Sequence, residues 1–232
     1  VKGYKGMSLF LVDTDTKGFV VNRKLNKVGM RASDTAEIFF EDMFIPEDAL
    51  LGEEGRGFYN IMWELQGERL IGAAAAIGGA RLTLEGVIEY AKQRVQFGKP
   101  IIKFQGIQFM LARMWTQLIA SYSMLFTLGQ MEELGLDISG PAAAAKLFTT
   151  EAATQVALDA IQIMGGYGYM REYKVERFMR DAKLMEIGAG TNQIQLILLA
   201  RQLAKMDPIE LNPMFAPPSS FPKKPAWMEA LD

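Results

Sequence analysis

The chain has 232 residues, half of them hydrophobic, and a formal net charge of -2. That is enough apolar material for a core in one or two domains, and the mixed charges form no basic stripe of the kind nucleic acid needs. Cysteine and histidine are both absent, which excludes disulfides, thiolate nucleophiles and the commonest metal ligand, and leaves any acid–base work to a carboxylate, Lys, Tyr or a cofactor.

In chain order, residues 1–53 read as strands and turns. Met7–Val12, Phe19–Val21 and Ala36–Phe40 are β-rich runs separated by turn residues, and Pro46 closes the section. They do not make a closed sheet with a beginning, so this stretch reads as the remainder of a β-domain. From residue 54 to 206 the periodicity is helical. Phe58 to Arg94, Phe104 to Met131 and Ala142 to Met164 carry apolar residues at helical spacing, broken at Gly98-Lys-Pro100, at Gly135 to Gly140 and at Gly165-Gly166. A shorter segment runs through Glu176 to Arg180, and a last helix covers Asn192 to Lys205. The expectation is an α+β chain: a partial β-domain followed by an antiparallel four-helix bundle. Residues 207–232 form a proline-rich tail that reads as extended. The most apolar run, Leu70 to Ile77, is too short to cross a bilayer, so a soluble chain with no membrane partner is expected.

Four features invite a chemical reading, each with a plainer alternative. Glu186-Ile-Gly-Ala-Gly-Thr-Asn192 joins two helices through glycines, and the free donors of a helix N-terminus suit an anionic or carbonyl-bearing ligand; an ordinary connection looks the same. Gly165-Gly-Tyr-Gly168 allows close backbone approach, or simply ends a helix. Arg94 in Arg94-Val-Gln-Phe-Gly-Lys99 either clamps a phosphate or complements a helix dipole. Glu68 lies beside a small and apolar stretch, where it is either desolvated toward a base-like pKa or exposed and paired with Arg69 or Arg81. Fifteen methionines are adaptable core filler, and the residues suggest no metal site.

The order of these motifs resembles the acyl-CoA dehydrogenase family from about residue 5 to 205. The resemblance rests on Arg31-Ala-Ser-Asp-Thr35 with Ile38-Phe-Phe-Glu-Asp42, on Leu51-Gly-Glu-Glu-Gly-Arg-Gly-Phe58, on Arg94-x-x-Phe-Gly-Lys99 with Phe104-Gln105, and on Gln162-Ile-Met-Gly-Gly-Tyr-Gly168 leading to Arg180-Asp-Ala-Lys183 and Gly190-Thr-Asn-Gln193. It implies an FAD-dependent enzyme of fatty acid or branched-chain amino acid catabolism that introduces the α,β double bond into an acyl-CoA. FAD contacts are implied for Arg94, Phe97, Gln105, Gln162, Ile163, Met164, Gly165 and Gly166, and for Thr191, Asn192 and Gln193. Substrate contacts are implied for Tyr59, one face along from the base, and for Gln66, Gly67, Arg69, Ala189 and Gly190.

One departure matters. Many members carry the catalytic glutamate where this chain has Ala189. The isovaleryl-CoA and long-chain branches place it on the long helix in a Glu-Arg-Leu context, which Gln66-Gly-Glu-Arg-Leu70 matches, so Glu68 is the expected catalytic base and Glu186 the next candidate. The resemblance further implies that Glu68 takes the pro-R α-proton as the β-hydride leaves for flavin N5, with the loop at Ala189 keeping a backbone donor for the thioester oxygen. It also implies a homotetramer (a dimer of dimers) with FAD sites shared between subunits, an electron-transfer flavoprotein as acceptor, and a location in the cytoplasm of a prokaryote or the mitochondrial matrix of a eukaryote. The family's N-terminal helical domain and the first part of its β-domain are not in this stretch, and are expected in the same or another polypeptide. An acyl-CoA oxidase and a non-catalytic oligomerising homologue are the alternatives.

Overall fold

Helix α1 (Gly57–Gln93) is the element on which the others are stacked. It has no proline, and its middle buries Ala73, Ala76, Ile77, Ala80, Leu84, Val87 and Ala91, whose three- and four-residue spacing draws one stripe down the helix. The computed structural model describes residues 3–205. Its α1 ends where Arg94 turns extended. Strands β5 (Val95–Gln96) and β6 (Lys99–Pro100) then form a tight antiparallel hairpin. Phe97 and Gly98 sit between them with φ of 49° and 76°, the pair of positive values that a two-residue hairpin turn requires.

Helix α2 (Gln105–Glu133) returns antiparallel to α1, and α3 (Ser139–Met164) reverses again, so that α3 runs parallel to α1. Half of the residues that α3 buries are alanines: Ala142, Ala143, Ala145, Ala152, Ala153, Ala157 and Ala160. Small side chains let the backbones of α1 and α3 approach closely, and Leu84, Val87, Met114, Leu118, Val156 and Ile163 fill the space between the three long helices. A second apolar cluster, Leu128, Met131, Ile138 and Ala145, takes in Leu70 from α1. The short helix α4 (Val175–Met185) crosses α3 and α1, with the Phe178 ring seated on Gly79. Helix α5 (Asn192–Leu203) lies on the first turns of α3, where Gly140 leaves room for Gln202. Among the described residues, three long helices with the shorter α4 and α5 match the expected bundle.

The β part is sparser than its composition suggests. Strand β1 (Leu9–Phe10) pairs with β4 (Leu50–Leu51), and β2 (Phe19–Lys24) pairs with β3 (Ala36–Phe40) through a bulge between Val21 and Arg23. Of the run Met7–Val12, only Leu9 and Phe10 are strand, because only they find a partner. The two ladders are not joined among the described residues, and Val21, Phe39, Phe40 and Phe44 are exposed. What fixes this part is the bundle: Met30 N–H donates to Asp181 Oδ1 at 2.5 Å, and Arg180 Nη1 donates to the Val28 carbonyl at 2.9 Å.

One expectation needs correction. Leu70–Ile77 alone is too short to span a bilayer, but α1 as a whole contains an 18-residue window of mean hydropathy 1.3, long and apolar enough by composition to do so. A third of that window is buried within the described residues, as core packing would have it. The proline-rich tail lies outside the described residues.

Candidate functional site

Two clusters of candidate residues form at opposite ends of the α1–α3 pair. The first is the loop from Glu186 to Thr191, between α4 and α5. Its carbonyls are turned into the bundle. Lys146, on α3, is 2% exposed. Its Nζ donates to the Glu186 carbonyl at 3.1 Å, the Gly190 carbonyl at 2.9 Å and Asn192 Oδ1 at 2.9 Å. Gln195 Nε2 donates to the carbonyls of Gly190 at 2.9 Å and Ala189 at 3.4 Å. Asn192 N–H closes the loop on the Glu186 carbonyl at 2.9 Å. Thr191 is the N-cap of α5, its Oγ1 accepting from Ile194 N–H at 3.3 Å. Among the described residues the amide hydrogens of Ala189, Gly190 and Thr191 have no hydrogen-bond partner. The loop therefore presents donors outward and hides its acceptors.

Ala189 holds this shape at some cost, with φ at 52°, a left-handed conformation that disfavours residues bearing a Cβ; Gly190 follows at 88°. Alanine at that position has no proton to exchange. Glu186 does not replace it. Its carboxylate accepts from Thr154 Oγ1 at 2.6 Å and from Lys183 Nζ at 2.7 Å. Burial pushes its pKa up, but those hydrogen bonds and the charges of Lys183 and Lys146 outweigh burial and hold it below the ordinary carboxylate value. A carboxylate so engaged is a poor proton acceptor.

Glu68 lies on α1 toward the same end, exposed and without an ion pair among the described residues. Arg81, the partner it could have had, is bound to Glu85 at 2.8 Å. Arg69 beside it turns toward the bundle: its Nε is buried without a partner, and burial pushes the guanidinium pKa down against the charge of Glu68. Burial likewise pushes Lys146 down, opposed by Glu186 and Glu151 and assisted by the positive charge of Arg69. The desolvated environment considered for Glu68 is not formed by the described residues, because Gly67 and Glu68 are both exposed and nothing stands within 4 Å of a methyl placed on Gly67. Tyr59 is not on the same face as Glu68. Nine residues at 100° each put the two on opposite sides of α1, about 13 Å apart along the axis. Tyr59 instead packs with Tyr4 and Phe58, under the Arg56 guanidinium at 4.6 Å.

The second cluster is an open groove of about 550 Å³ where α1 and α3 end, lined by Tyr90, Arg94, Gln96, Ile101, Ile163, Met164, Gly165, Gly166, Tyr167 and Met170. Tyr90 Oη donates to the Met164 carbonyl at 3.4 Å, tying the two helix ends. Arg94 lies over the Tyr167 ring at 5.4 Å, which fixes a cation at the rim. Gly165 and Gly166 are exposed with open space where side chains would stand, so their backbone is accessible to a ligand. Ile163 and Met164 are buried beneath them, while Gln162 is exposed beside them. Phe97, 91% exposed at the hairpin tip, and Gln105, the first residue of α2, extend the same end. Cationic, aromatic and bare-backbone surface together suit a phosphate-bearing cofactor such as FAD.

The structure does not bring the expected cofactor residues into one place. Arg94 and Ile163 to Gly166 line the groove, Phe97, Gln105 and Gln162 stand outside its lining, and Thr191, Asn192 and Gln193 belong to the loop. From Lys146 beneath the loop to Met164 at the groove α3 rises about 27 Å. Asn192 also turns inward: it is buried, bound to Lys146, to Thr150 Oγ1 at 3.3 Å and to Glu151 Oε1 at 3.4 Å. Gln193 is exposed at the start of α5. Sequence reasoning missed Lys146, Gln195 and Tyr90. A lone lysine after four alanines in a helix core was the available signal. Among the described residues no group of acidic side chains could hold a metal ion.

Comparison with known proteins identifies the family. Residues 55–204 match the family of the acyl-CoA dehydrogenase C-terminal domain. The mitochondrial isovaleryl-CoA dehydrogenase of Oryza sativa subsp. japonica is 45% identical over 203 residues, which are 88% of this chain and 50% of that protein. The crystal structure of acyl-CoA dehydrogenase from Geobacillus kaustophilus superposes with a TM-score of 0.84 at 44% identity, covering 86% of this chain and 53% of the other. The FAD complex of PigA does so with a TM-score of 0.83 at 34% identity, covering 87% and 53%. The chain spans about half the length of the relatives it matches. By its helical bundle, its loop and its likeness to these proteins, the chain belongs to the acyl-CoA dehydrogenase family.

Proposed function

We propose that this chain supplies the helical bundle and part of the β-domain of an FAD-dependent acyl-CoA dehydrogenase, with Glu68 as the base that removes the α-proton of the thioester. The observation that carries this reading is the contrast between three positions. Ala189 has no titratable group, Glu186 is held by Thr154 and Lys183, and Glu68 is an unpaired carboxylate near the same end of the bundle.

An α-proton beside a thioester is weakly acidic, so removing it needs donors aimed at the carbonyl oxygen as negative charge develops there. The outward amide hydrogens at Ala189, Gly190 and Thr191 are suited to that role, and they do not depend on the side chain at 189. Bound FAD would supply the acceptor for the β-hydride. The residues that would hold it are Arg94, Gln105 and Gln162 to Gly166 at one end of a chain and Thr191 and Gln193 at the other. Their separation within one copy supports a cofactor site shared between neighbouring copies, and exposed Trp115, Ile119 and Phe126 on α2 with Ile194 and Ile197 on α5 offer apolar faces for a tetramer. Electron-transfer flavoprotein is the proposed acceptor.

The test is Glu68→Gln in the full-length protein. We expect flavin to stay bound and turnover with a dye acceptor to fall by about a thousandfold, the scale of a lost general base. Turnover at the wild-type rate would remove Glu68 from the mechanism. Peroxide formed from oxygen without a dye would assign the protein to the oxidases instead.

A further inference from the structure

We propose that Lys146 is the positioning residue of the Glu186–Thr191 loop: its ammonium draws the loop carbonyls into the bundle and so presents the loop amide hydrogens to the ligand. This rests on the reading of the loop as the thioester-facing element, and it concerns a residue that touches neither substrate nor cofactor.

The hydrogen-bond inventory makes the argument. An ammonium has three donors and no acceptor. Lys146 meets three acceptors, the carbonyls of Glu186 and Gly190 and Asn192 Oδ1, at 2.9–3.1 Å. No other side chain reaches all three from α3. Because a trans peptide is planar, its C=O and N–H point in opposite directions. A Gly190 carbonyl held inward therefore turns the Thr191 N–H outward. An Ala189 carbonyl held inward by Gln195 does the same for the Gly190 N–H. The orientation of the Gln195 amide is fixed by this contact, since the opposite flip would set its oxygen against two carbonyl oxygens.

The loop cannot hold this form on its own. Ala189 sits at φ 52°, a conformation that persists only where surrounding contacts over-determine it. Lys146 and Gln195 are those contacts. Thr150 packs into the same network: its Oγ1 donates to the Lys146 carbonyl at 2.8 Å and lies 3.3 Å from Asn192 Oδ1. A buried lysine serving stability alone would have no reason to meet two carbonyls of a turn whose amide hydrogens are left without partners.

The experiment uses the full-length, flavin-loaded protein with Lys146→Met, which keeps the stem and removes the ammonium. Hydrogen–deuterium exchange of the 184–195 segment, kcat and KM for an acyl-CoA substrate are measured together. We expect exchange in that segment to speed up while α2 is unchanged, and kcat to fall about a hundredfold with KM little altered, the loss that follows removal of one oxyanion donor. Faster exchange with wild-type kcat would make Lys146 a stability residue and overturn the proposal; so would a fall in kcat with unaltered exchange. Lys146→Gln, which keeps a shorter donor, should recover part of kcat. If Lys146→Met does not fold, Gln195→Met removes the second holder and must show the same pattern of fast exchange and reduced kcat. A normal Glu68→Gln enzyme with a slow Lys146→Met enzyme would remove the assigned base and leave the role of Lys146 standing.

Discussion

Gly29 lies directly against the backbone carbonyl of Arg180, so close that a methyl group on Gly29 would overlap it and the Asp181 carboxylate as well. This contact, with the Met30 amide on Asp181, fastens the β part to α4. Backbone cannot move aside as a side-chain tip can. Gly29→Ala should therefore cost about 1–3 kcal/mol, the range for forced overpacking, read as a lower denaturation midpoint of the full-length protein.

Arg94 is the cation at the rim of the groove, and its loss should be felt first in cofactor retention. Arg94→Ala should weaken flavin binding by about 1.5–3 kcal/mol, the worth of a charge-assisted hydrogen bond, while leaving the far-ultraviolet circular dichroism unchanged. Titration of apoprotein with FAD, followed by flavin fluorescence, measures it. An unchanged affinity would remove Arg94 from the cofactor site.

Glu186 gives the molecule an acid sensitivity of known sign. Burial pushes its carboxyl up, and the hydrogen bonds from Lys183 and Thr154 more than reverse this, so its folded pKa is depressed. A depressed carboxylate stabilises the fold above its unfolded pKa, and that contribution is lost as pH falls through the folded value. Urea midpoints should drop steeply below about pH 4.5. Glu186→Gln should be less stable than wild type near neutrality and show a shallower acid slope.

Ala189 already occupies a left-handed conformation, so replacing it with another residue bearing a Cβ adds little backbone cost. Ala189→Glu in the Glu68→Gln background should fold with nearly unchanged stability. It should turn over acyl-CoA faster than Glu68→Gln alone and more slowly than wild type. Steady-state assays of the two variants side by side decide it, and no recovery would mean that a carboxylate at this position cannot reach the α-proton.

The helices were legible in the sequence because their signals are local: Gly57 opens α1, the positive-φ pair at Phe97 and Gly98 makes a hairpin, and Gly165 ends α3. The loop was legible as a turn of glycines before an N-cap threonine. Its control by Lys146 was not, because the residues that meet there are some forty positions apart and only the antiparallel return of the chain joins them. Tyr59 was misplaced by ignoring the 100° step of a continuous helix. Phe19–Val21 and Ala36–Phe40 are strands as expected, whereas Met7–Val12 is strand only at Leu9–Phe10, since an apolar run registers composition while a strand needs a partner edge. Asn192, an FAD contact by resemblance, has its side chain turned inward onto the buried Lys146 ammonium, a partner that lies 46 positions away in sequence.

Helix α1 sets Glu68 and Arg94 about 39 Å apart. If each cofactor is shared between copies, one chain's two lesions fall on different cofactors. Mixed oligomers of Glu68→Gln and Arg94→Ala chains should then be more active at limiting FAD than either homogeneous population. At such an interface one site collects both defects and its neighbour is left intact. Two impaired alleles of this protein would complement each other in the same cell.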